Sequence, residues 1–69
     1  MKYFIFLDIK SNLEQIEFCQ TEINKLLDTN GKILKTMSGL RLLLVESDNL
    51  PIDDIKKLPN VQSIEEWIS

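Results

Sequence analysis

Leu40-Arg41-Leu42-Leu43-Leu44-Val45-Glu46 is a nearly continuous apolar run, and the fold follows from where it can be buried. It reads as a strand that needs cover on both faces, or cover on one face and a partner on the other. One other stretch has the same character. In residues 2–9, Tyr3, Ile5, Leu7 and Ile9 share one side of an extended chain, and Phe4 and Phe6 share the opposite side. Both stretches belong in the middle of a sheet.

Between them lies a helical pattern. Ser11-Asn12-Leu13-Glu14 fits a capping box, with the Ser11 hydroxyl on the third helical amide and Glu14 reaching back. Leu13, Ile16, Cys19, Ile23, Leu26 and Leu27 then recur at three- and four-residue spacing and form one apolar stripe. Asn30-Gly31 is expected to close the helix, Gly31 taking the left-handed cap conformation. Phe18 lies off the stripe and is expected to fold over the core edge or meet a partner. Residues 32–38 carry Ile33, Leu34 and Met37 and read as an edge strand, because Lys35 and Thr36 interrupt them. Ser38-Gly39 makes the turn into the central apolar run.

Beyond that run, Ser47-Asp48-Asn49-Leu50 is a loop and Pro51 suits the first position of a second helix. Asp53 and Asp54 complement its dipole, Lys56 and Lys57 suit its far end, and Ile52 and Ile55 are expected to face inward. Pro59 stops the helix, Asn60 suits a turn, and Val61-Gln62-Ser63-Ile64 opens a last strand ending in Glu65 and Glu66.

The order is βαββαβ in one domain, residues 1–69. Two strand–helix–strand units with right-handed crossovers predict an α+β, ferredoxin-like fold: a four-stranded antiparallel sheet in the order 4-1-3-2, with both helices on one face. The first and third strands, the most apolar, fall in its centre. Helices on one face leave the other with exposed apolar side chains, expected to include Phe4, Phe6, Leu43 and Val45. Such a patch marks an interface, closes a homodimer, or is partly covered by Trp67.

Composition narrows the chemistry. Eight basic against eleven acidic residues give a net charge of −3 and a pI near 4.7, no footprint for nucleic acid. The chain has no His and a single Cys, so neither a transition-metal site nor an internal disulfide is expected. Cys19 reads as an apolar filler. No cofactor and no catalysis are expected. An acylphosphatase would need an Arg in a Gly-rich loop near the first strand, whereas the only Arg, Arg41, falls within the apolar run. A metal-carrying ferredoxin would show Cys-x-x-Cys where Asp8-Ile9-Lys10-Ser11 stands. The N-terminal apolar run is too short for a membrane span. If Met1 is the native start, the protein is expected in the cytosol; if not, a removed leader and secretion are expected.

Three groups of residues resemble the propeptide and proteinase B inhibitor-like family associated with subtilisin-type serine proteases. They are Lys2-Tyr3-Phe4-Ile5, Gly31-Lys32-Ile33 with Lys35, and above all Ile55-Lys56-Lys57-Leu58-Pro59-Asn60-Val61-Gln62-Ser63-Ile64-Glu65-Glu66. The resemblance implies a domain that docks its open sheet face on two surface helices of the protease. Such a domain assists the protease's folding as an intramolecular chaperone and inhibits it through a C-terminal tail in the substrate cleft. It also implies that Glu65, with Glu66 as the second acid of the motif, meets the N-termini of those helices. Trp67 stands where the family commonly has Asp, Leu42-Leu43 where many members have Gly and a bulky residue, and only Ile68 and Ser69 follow as tail. The expected docking set is therefore Glu65, Glu66, Trp67, Ile68 and Ser69 with Phe4, Phe6, Leu43 and Val45, and binding without strong inhibition is a possible outcome. A ferredoxin-like regulatory or self-association module is the alternative.

Overall fold

A computed structural model describes residues 1–68. Four strands and two helices follow the expected order: β1 (Lys2–Leu7), α1 (Leu13–Leu26), β2 (Lys32–Met37), β3 (Leu42–Glu46), α2 (Ile52–Lys56) and β4 (Val61–Trp67). They form one antiparallel sheet in the order β2-β3-β1-β4, so the two apolar runs are the central strands.

Alternation along β1 builds the core. Tyr3, Ile5 and Leu7 are buried, and opposite them Val45 and Leu43 of β3 are sealed from solvent. Ile16, Cys19 and Ile23 of α1 and Ile55 of α2 close over that face, with Leu50 and the partly buried Leu27, Ile33, Leu58, Val61 and Ile64 around them. Burying a Leu or Ile side chain is worth about 1.5–3 kcal/mol, so this layer supplies most of the fold's stability.

Two bulges adjust the edge strands. β4 pairs Ser63 with Phe6 but Val61 with Leu7, so Gln62 is an extra residue and Val61 and Ile64, three apart, both turn to the core. β2 pairs Ile33 with Val45 but Lys35 with Leu44, so Leu34 is the extra residue. Lys32 and Lys35, which a regular strand would put on opposite faces, therefore share one face.

Several local expectations shift by a residue or a turn. The cap of α1 is Asn12 rather than Ser11: Asn12 Oδ1 accepts from the Gln15 amide at 2.9 Å, and Gln15 Oε1 accepts from the Asn12 amide at 2.8 Å. Ser11 is buried instead, because the Asp8–Ser11 turn, closed by the Ser11 amide donating to Asp8 O, tucks it under the helix start. Helix α1 ends at Leu26 with Leu27 extended, four residues before Gly31, whose φ is not positive. A Cβ at Gly31 would lie 3.1 Å from the Leu27 Cβ, so the glycine there provides clearance. Asn60 is in the left-handed region at φ 72°, which its turn requires, and its carbonyl accepts from the Asp8 amide at 2.7 Å. Arg41 precedes β3 and is not part of it. It too is left-handed, at φ 52°, at the end of a 3-10 turn over Ser38–Leu40. Its Nε donates to Ser11 O and its Nη1 to Gly39 O, both at 3.2 Å, tying the β1–α1 loop to the β2–β3 connection. Pro51 takes the cap position of α2, and Ile52 is exposed because the five-residue helix turns only Ile55 inward. Phe18 is exposed on α1.

Candidate functional site

The face of the sheet away from the helices is arranged in three cross-strand rows, set by register. Lys32, Glu46, Lys2 and Trp67 form the first, reading from β2 to β4. Lys35, Leu44, Phe4 and Glu65 form the second, and Met37, Leu42, Phe6 and Ser63 the third. The middle two strands thus contribute Phe4, Phe6, Leu42 and Leu44, all only partly covered, and the two edge strands contribute the charges Lys32, Lys35 and Glu65.

Aromatic contacts hold one corner. The Phe4 ring centroid is 5.8 Å from that of Trp67 and 6.3 Å from that of Phe6, all tilted. Lys2 Nζ lies 4.9 Å from the Trp67 ring centroid, a cation–π contact worth about 0.5–1 kcal/mol at an exposed site. Trp67 is still 42 % exposed, so it shields the Phe4 corner and leaves Leu42, Leu44 and Phe6 without a lid. A shallow depression of about 250 Å³ lies at the same end, between Met1, Lys2, Glu46 and Trp67.

Of the residues expected at the docking surface, Phe4, Phe6, Glu65 and Trp67 come together on this face. Leu43 and Val45 do not. They pair with Ile5 and Tyr3 and lie fully buried beneath the helices, and the open face takes Leu42 and Leu44 in their place. The physical reason is phase: strand neighbours alternate, so pairing Phe4 with Leu44 commits every even-numbered position of β3 to the open side. A signal for this existed in Glu46, which has the parity of Leu42 and Leu44 and, as a charge, belongs on the solvated side. Glu66 pairs with Tyr3 and points to the helix side, where it is exposed at the sheet edge. Ile68 lies past the end of β4 and is 82 % exposed, and Ser69 lies outside the described residues.

Met37, Lys32 and Lys35 also belong to this face and were not legible beforehand, since the bulge at Leu34 sets their side. Neither Lys35 nor Glu65 forms an ion pair among the described residues.

Cys19 is buried and unpaired in α1, and its Sγ donates to Pro59 O at 3.1 Å. Burial pushes the thiol above its ordinary value. Among the described residues no group of three or more His, Cys, Asp or Glu comes together to hold a metal, and no helix is long and apolar enough to cross a membrane.

Compared with known proteins, the chain matches no family model, no curated protein and no solved structure. The fold and the surface define the class: a small ferredoxin-like α+β domain with one uncovered, apolar sheet face.

Proposed function

We propose that this chain is a docking module that binds a subtilisin-type serine protease through its open sheet face, as a propeptide-like folding assistant, an inhibitor or both, and catalyses nothing itself. The observation that carries the reading is the composition of that face. Phe4, Phe6, Leu42 and Leu44 offer apolar area that the chain's own helices leave uncovered, and Trp67 and Glu65 stand beside them on the outer strand. Aromatic side chains at such a patch act as anchors. A carboxylate at its margin suits the unpaired amides and positive dipole end of a partner helix. The likeness of residues 55–66 to the propeptide motif supports the choice of partner class.

The opposite sides of β4 that the two acids take support different duties for them in this reading. Glu65 lies in the same row as Phe4 and is the helix-capping candidate; Glu66, on the opposite side, contributes solubility at the sheet edge. The experiment is a calorimetric titration of the chain into a subtilisin-type protease inactivated at its serine, so that cleavage cannot mask binding. One-to-one binding at micromolar affinity or tighter is expected, with Glu65→Lys weakening it about tenfold or more and Glu66→Lys leaving it near wild type. Absence of binding across several such proteases would overturn the reading.

A further inference from the structure

We infer that the open face also binds a second copy of this chain, face to face about a two-fold axis that runs parallel to the strands between β1 and β3. The face is complementary to its own image, whether or not it also meets a protease.

An isologous interface must match its own image. Rotation about an axis along the strands keeps each cross-strand row on itself and exchanges its two ends. In the middle row, Lys35 at the β2 end then faces Glu65 of the second copy, and Leu44 faces the second copy's Phe4. In the first row, Glu46 faces the second copy's Lys2, and Lys32 comes over the second copy's Trp67 ring. In the third row, Leu42 meets Phe6, and Met37 lies over Ser63. Each lysine meets an acid or an aromatic ring, and each central apolar side chain meets another.

The competing two-fold axis, across the strands, gives the opposite result. Centred on the middle row, it sets Lys35 against Lys35 and Glu65 against Glu65 and lays Lys2 over Phe6. Like charges in contact disfavour it. Sheets packed face to face lie ~10 Å apart with strands within about 30° of alignment, and long Lys and Glu side chains absorb the resulting offset at the edges. Four strands ~4.8 Å apart with about 20 Å of length give roughly 400 Å² per copy. That total, near 800 Å², is below the size of standard stable interfaces, so the dimer is weak and reversible. It covers the apolar face when no partner is present and must open before any other protein can use that face.

The test is sedimentation equilibrium of the chain from about 10 μM to about 1 mM, the range in which a small interface associates. A reversible monomer–dimer equilibrium is expected. Lys35→Glu and Glu65→Lys, both at exposed positions, should each weaken it about tenfold or more, with circular dichroism confirming an unchanged fold. Mixing those two variants should restore association as a heterodimer, in which both ion pairs reform with the correct signs. The double variant Lys35→Glu/Glu65→Lys, which keeps the net charge of −3, should dimerise like the wild type. A chain that stays monomeric throughout, or single variants that dimerise unchanged, or a mixture that fails to associate, would overturn the inference. The outcome is separable from that of the protease titration, because the charge swap that restores the dimer does not restore a protease site that reads Glu65 alone.

Discussion

Leu43 and Leu44 are chemically identical neighbours on the same strand with opposite roles. Leu43 is sealed between the sheet and the helices, whereas Leu44 lies on the open face beside Phe4 and Lys35. A strand that is apolar on both sides builds two different things at once: one side supplies the fold's stability and the other its surface for a partner. The two faces of this sheet should therefore separate cleanly under substitution.

The largest effect belongs to the core. Leu43→Ala leaves a cavity under both helices and should cost about 2–5 kcal/mol, much of what so small a domain possesses. Urea denaturation should find it largely unfolded or close to it. Leu44→Ala should cost about 1 kcal/mol or less and instead impair partner binding. Equal losses of stability from the two would erase the distinction between the faces.

Asn12→Ala comes next. Removing the side chain that caps α1 should cost about 0.5–2 kcal/mol without touching the open face, whereas Ser11→Ala, which caps nothing, should not reproduce that loss. The same denaturation measurement distinguishes them.

Cys19 sharpens the comparison through pH. Its pKa is raised by burial in the folded state, so the folded chain retains a proton that the unfolded chain releases. The associated stability is fully present below the ordinary thiol range and is lost as pH rises towards the elevated folded value. Unfolding free energy should fall in the alkaline range in the wild type and fall less in Cys19→Ala. Thiol labelling under native conditions should be slow and should accelerate with urea.

The smallest effect is at the Trp67 corner. Lys2→Met removes the cation over the indole and should cost less than about 1 kcal/mol, because the site is exposed. Trp67 fluorescence should report the change even where denaturation does not.

Much of the fold was legible. The strongest strands were the two with continuous apolar runs, and their central placement follows from burial alone. The helix stripe was legible from its spacing through Ile16, Cys19 and Ile23, whereas Leu13 and Leu26, expected on the same stripe, are exposed at the two ends of the helix. What the residues withheld was phase. Leu43 and Leu44 are both leucine, so the one local hint of which meets the helices is the parity of Glu46 three residues from Leu43, and pairing with Phe4 or Ile5 decides it. The bulges at Leu34 and Gln62 were equally hidden, because an extra residue in an edge strand leaves no mark on composition. One of them places Lys35 on the open face. The helix start slipped by one residue because Ser11-x-x-Glu14 and Asn12-x-x-Gln15 are overlapping capping boxes, and the tight turn from Asp8 uses the first residue of the pair. For the candidate site, the alternation of Glu65 and Glu66 was readable, and so was the parity of Phe4 and Phe6. The third-strand contribution was marked only by the parity of Glu46 with Leu42 and Leu44.

The most direct measurement follows methyl groups on both faces by NMR while the chain is titrated with a subtilisin-type protease inactivated at its serine. The methyls of Met37, Leu42 and Leu44 should shift and broaden on binding, while those of Leu43, Val45 and Ile23 keep their positions. Perturbation concentrated at the helices, or no perturbation on either face, would contradict that expectation.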